Sequence, residues 1–180
     1  MKTVVIGLGN PYFGNDSAGI KVAEMVEMSG DIPNTDVVYL STTSFEVIDK
    51  ILGYDRAFII DTIRGEKPGR IHVFDVFCVD DLIDELDKMT GNREANRQLH
   101  RQSRRYASHA MGLTETLRVG YELFPDEMPD VGVIAIEITD AEPGTGCSRE
   151  VEEAVERAFR LLLKKIAGEN SPSLPSSRKS

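Results

Sequence analysis

Apolar residues fall along this chain in two rhythms, short unbroken runs and stripes at helical spacing. Thr3-Val4-Val5-Ile6, Val37-Val38-Tyr39-Leu40, Ala57-Phe58-Ile59-Ile60 and Val131 to Ile138 are runs of the kind that suit strands buried in a sheet. Ile71 to Phe77 reads as a longer strand suited to a sheet edge. Between them lie stripes near the 3.6 period: Ile20, Val22, Ala23, Met25 and Val26; Phe45, Val47, Ile48 and Leu52; Leu113, Leu117, Tyr121 and Phe124. The cleanest is Val151, Ala154, Val155, Ala158, Leu162 and Ile166. Punctuation agrees with the stripes. Ser44 and Ser148 stand where helix N-caps are expected, Gly53 follows one stripe, and Pro125 and Pro129 follow another. Strands alternating with helices predict an α/β fold, a three-layer sandwich whose mostly parallel, twisted sheet of about five strands carries helices on both faces.

From Val79 the rhythm loosens. Leu82, Ile83, Leu86 and Met89 suggest a short amphipathic helix. Thr90 to Ser108 is mostly polar and carries Arg93, Arg97, Arg101, Arg104 and Arg105, which reads either as a solvated surface or as a docking arm. Residues 1–167 are expected to form a single domain. Residues 168–180, rich in Ser and Pro and basic at the end, are expected to be a disordered tail.

Composition narrows the classes. A chain of 180 residues is long enough to bury one sizeable core, and no segment has the roughly 20 uninterrupted apolar residues of a membrane span. A formal net charge of −9 argues against a nucleic-acid partner, which needs a basic face. Cys78 and Cys147 are far apart and lack zinc-ligand spacing. With an N-terminus unlike a signal peptide, a cytoplasmic protein with reduced thiols is the expectation.

Candidate chemistry gathers after the strands. Gly7-Leu8-Gly9-Asn10-Pro11 ends the first strand, and Asn15, Asp16 and Ser17 precede the first helix. This resembles a dinucleotide-binding turn only in part, because Tyr12 stands where the third glycine is required. Asp16 is expected at the helix N-terminus, where its local explanation is a cap. Asp61 follows the third strand, and His109 lies in the loop before a helix. First and third strands are neighbours in many doubly wound sheets, so both acids belong at the ligand-binding rim. Two adjacent carboxylates need a cation or a shared proton. With an imidazole they could hold nickel, zinc, manganese or iron. His72, on a strand, and His100 compete for the nitrogen position; neither has the Ser-His-x-x-Gly setting of His109.

The ordered set resembles the [NiFe]-hydrogenase maturation endopeptidases. It comprises Gly7-Leu8-Gly9-Asn10 with Asp16 before Gly19, then Ile59-Ile60-Asp61, Ser108-His109-Ala110-Met111-Gly112, and the stretch from Ile136 through Gly146 to Ser148. The resemblance implies that Asp16, Asp61 and His109 contact metal, and that the metal is nickel already seated in the precursor of a hydrogenase large subunit. It further implies removal of a C-terminal extension from that precursor, with Asp16 or Asp61 acting as base. Another divalent metal is expected to substitute in vitro. The chain contains neither HExxH nor GxSxG, and Cys147 reads as a packing residue rather than a nucleophile. A non-catalytic nickel-sensing or chaperone module, or a peptidase of the same fold with another substrate, would use the same residues.

Overall fold

The structure, a computed structural model, describes residues 1–30, 32–76, 112–144 and 146–168. The predicted helix at 82–89, the arginine-rich stretch, Cys78, His100, His109 and the C-terminal tail lie outside the described residues.

The strands are β1 (Thr3–Leu8), β2 (Thr35–Leu40), β3 (Arg56–Arg64), β4 (Ile71–Val76) and β5 (Asp130–Ile138). The described helices are α1 (Ala18–Met28), α2 (Phe45–Ile51), α3 (Leu113–Leu123) and α4 (Arg149–Ile166). They build one five-stranded sheet in the order β2-β1-β3-β5-β4, parallel except for β4, which runs antiparallel to β5 at the edge. The α/β architecture and the edge position of β4 are as the apolar rhythm predicts.

Alternation of side chains sorts the core into two layers. Val4, Ile6, Ala57, Ile59, Val131 and Val133 face α2 and α3, where they meet Val47, Ile51 and Leu117. Val5, Phe58, Ile60, Ile134 and Ile136 face α1 and α4, meeting Val22, Val26, Val151 and Leu162. β1 is buried along its whole length, because helices cover both of its faces. A one-residue slip would exchange the two layers, so burial fixes the register. Each fully buried Val, Leu or Ile is worth about 1.5–3 kcal/mol over an exposed one.

Two glycines let α1 and its approach lie flat on the sheet. Gly9 has φ 137°, and a Cβ there would run into the Asp16 carbonyl. A Cβ at Gly19 would strike the carbonyls of Leu8 and Ile60. Closeness of turn and sheet is thus written in side chains that are missing. Ser44 does cap α2, accepting the Glu46 N–H at 3.2 Å. Ser148 occupies the N-cap position of α4, but its side chain makes no capping bond.

Candidate active site at the β1 and β3 rim

Asp16 and Asp61 reach the same rim by different routes. β1 and β3 pair in parallel, Gly7 opposite Ile60, so β1 finishes level with Asp61. β3 itself does not stop there. It continues to Arg64, held by β5 with Asp61 opposite Ala135 and Thr62 opposite Ile136. Asp61 is therefore an interior strand residue uncovered by the end of its neighbour, rather than the strand terminus that the sequence suggested. Strand alternation sends it to the face shared with Ile59, whereas Thr62 points to the opposite face, toward α1.

Asp16 lies in a 3₁₀ turn, Gly14–Ser17, that leads into α1. No side-chain cap is made at the N-terminus of either the turn or α1. Instead the carboxylate turns back over the strand ends. Its Oδ2 accepts the Asn10 N–H at 3.0 Å and its Oδ1 accepts the Thr62 hydroxyl at 3.0 Å. The local explanation of Asp16 as a helix cap is thus not what the structure uses.

Asp61 differs in its surroundings. Its Oδ1 accepts the Thr62 N–H at 2.7 Å. Burial pushes its carboxyl up to about 6; the Thr62 N–H opposes that, and the nearby Asp16 charge adds to it. Two carboxylates held at one rim are hard oxygen donors whose mutual repulsion a cation would relieve. That donor chemistry fits a divalent ion. Among the described residues no group of His, Cys, Asp and Glu is large enough to hold a metal by itself. Any complete set needs a donor from elsewhere, and His109 is the candidate that the sequence supplies; it lies outside the described residues, directly upstream of Gly112 and α3.

The loop after β5 is latched onto the same rim. Gly14 N–H donates to the Gly144 carbonyl and Gly144 N–H to the Tyr12 carbonyl, each at 2.9 Å. Asn15, only 7% exposed, accepts the Ser148 N–H at 2.7 Å and donates to Asp140 Oδ1 at 3.2 Å. Cys147 Sγ donates to the Gly14 carbonyl at 3.4 Å, which makes it part of the same latch. In the sequence Asn15 is one of three polar residues that precede the first helix. Its actual partners lie about as far away in the chain as the fold allows, and no local pattern announces them.

A buried pair also escaped the sequence reading. His72 Nε2 and Glu137 Oε2 are 3.1 Å apart with both residues buried, and Glu137 Oε1 accepts the Lys67 N–H at 2.6 Å. Burial pushes the Glu137 carboxyl up, but the Lys67 N–H, the His72 ring and the Arg70 charge outweigh it and hold the group below its ordinary value. The pair clamps the connection between β3 and β4. His72, one of the two competing histidines, thus has a partner of its own.

The architecture with this rim matches solved structures over nearly its full length. Hydrogenase maturating endopeptidase HybD from E. coli superposes with a TM-score of 0.70 at 21% identity, covering 94% of each chain. The fold is that of the hydrogenase maturation endopeptidases. A [NiFe] hydrogenase maturation protease HybD from Thermococcus kodakarensis shares this endopeptidase fold, with a TM-score of 0.68 at 22% identity, covering 92% of this chain and 99% of that one. In sequence, Protein FrxA of Pyrococcus furiosus is 26% identical over 155 residues, 83% of this chain and 94% of FrxA. No family model matches the chain. No described helix is long and apolar enough to cross a membrane.

Proposed function

We propose that this chain is a [NiFe]-hydrogenase maturation endopeptidase of the cytoplasm, which recognises nickel in the precursor of a large subunit and removes that precursor's C-terminal extension. The observation that carries this reading is the convergence of Asp16 and Asp61 at a switch-point rim, one bound by two donors and the other lifted by burial and by its neighbour. The endopeptidase fold and the ordered motifs support the choice of client.

The client's nickel is substrate here, presented by the precursor. Asp16, Asp61 and His109 would contact it, and either carboxylate could take the proton of the attacking water. Binding by oxygen-rich, partly open ligand sets suits a metal that must also keep its own ligands in the client.

The test is direct. The purified chain is mixed with nickel-loaded precursor, and the mass of the large subunit is followed. A subunit shortened at its C-terminus is the expected product. Stable binding with no shortening would instead mark the chain as a nickel-sensing or chaperone module.

A further inference from the structure

Neighbouring residues on a strand project to opposite faces of the sheet. Thr62 nevertheless touches both acids of the rim. Its side chain, on the α1 face, donates its hydroxyl to Asp16 Oδ1 at 3.0 Å, and its main-chain N–H donates to Asp61 Oδ1 at 2.7 Å. The two acids are brought by separate segments, a turn before α1 and the middle of β3. Thr62 spans the join between them.

Where α1 begins, Gly19 packs against the Ile60 carbonyl of β3. Among the described residues the Asp16 carboxylate has one further donor, the Asn10 N–H from the turn after β1. The turn's main-chain anchors lie on β2 and on the loop after β5, through Gly9 N–H to the Leu40 carbonyl and Gly14 N–H to the Gly144 carbonyl. β3 is the rigid side, paired on both edges. A hydroxyl fixed to β3 therefore carries the position of the strand over to the turn. It also settles which lone pairs are taken: one oxygen of Asp16 by Thr62, the other by Asn10, and one oxygen of Asp61 by the Thr62 N–H.

We propose that Thr62 is a positioning residue of this site, its hydroxyl and N–H together setting the separation and orientation of Asp16 and Asp61 for a nickel-bearing client. This rests on the endopeptidase reading above. Outer partners of metal-contacting carboxylates typically cost about 10–100-fold in affinity or rate when removed. The hydroxyl, not the bulk of the side chain, is the working part. Valine keeps the shape and loses the donor; serine keeps the donor and loses a methyl.

The experiment compares the full chain with Thr62→Val and Thr62→Ser in two readouts. The first is calorimetric titration with Ni²⁺ alone; the second is kcat and KM for nickel-loaded precursor. Thr62→Val is expected to lose about 10–100-fold in Ni²⁺ affinity and in kcat/KM for the nickel-loaded precursor, and Thr62→Ser to recover most of both. A loss of packing alone would lower melting temperature and active fraction without moving the Ni²⁺ dissociation constant. Thr62→Val equal to the parent in both readouts overturns the proposal, and so does Thr62→Ser as impaired as Thr62→Val. If Thr62→Val does not fold, Thr62→Ala against Thr62→Ser carries the same comparison. A parent that binds Ni²⁺ but cleaves no precursor overturns the endopeptidase reading instead, and the titrations still decide Thr62.

Discussion

At the scale of single residues, the two acids of the rim differ in what each contributes to stability and to function. Asp61 has a folded-state carboxyl raised from 3.8 to about 6. The folded chain then binds the proton more tightly than the unfolded chain, so stability contributed by the protonated group is present at low pH. It is lost as pH rises from 3.8 to about 6. Asp61→Asn removes that loss. Its stability at pH 7 should exceed the parent's, by no more than about 3 kcal/mol at about 1.4 kcal/mol per pKa unit, with processing abolished. Chemical denaturation at pH 4 and pH 7 checks this, and a variant less stable than the parent at pH 7 would contradict it. Glu137 has the opposite sign. Held below 4.5, it contributes stability at neutral pH that disappears as pH falls through that range. Glu137→Gln should cost about 1–3 kcal/mol at pH 7, because Lys67 and His72 lose a charged partner, and the difference should narrow under acid conditions.

At the scale of elements, the site depends on how closely a turn and a helix lie on the sheet. Gly19 sits where the Leu8 and Ile60 carbonyls leave no room for a methyl group. Gly19→Ala should lift the start of α1, cost about 1–3 kcal/mol, and displace Asp16 from Thr62, so processing should fall further than stability. Urea unfolding together with the precursor assay would show this; unchanged activity would mean that the turn is adjusted independently of α1. The latch is a second such dependence. Asn15→Ala leaves the Ser148 N–H unpaired and should cost about 1–3 kcal/mol while loosening the 139–147 loop. Elements of this kind explain what the sequence could and could not tell. β1, β5 and the four described helices announce themselves because burial on both faces writes apolar runs, and burial on one face writes stripes; β2 shows the same apolar run although it is a half-exposed edge strand. The polar half of β3 does not. Asp61, Thr62 and Arg64 are strand residues only because β5 extends beyond β1 to pair with them, a fact of topology rather than of local pattern. Thr62 fell beyond the predicted run Ala57 to Ile60, and its hydroxyl partner is a carboxylate on another segment. Asn15 and Glu137 were invisible for the same reason. What the strand pattern did convey was the neighbourhood: adjacency of first and third strands in a doubly wound sheet puts Asp16 and Asp61 at one rim.

At the scale of the whole molecule, the account joins an endopeptidase fold to a rim bearing two carboxylates with no third metal-ligating side chain beside them among the described residues. Its central claim is that the cation arrives with the client. The most direct measurement takes one preparation of large-subunit precursor, loaded with nickel or stripped of it, and follows its mass after addition of the purified chain. Shortening of the nickel-loaded form alone, abolished in Asp16→Ala, Asp61→Ala and His109→Ala variants that remain folded, is the predicted result. Equal shortening of the stripped precursor, or retained cleavage in any two of those variants, would contradict it.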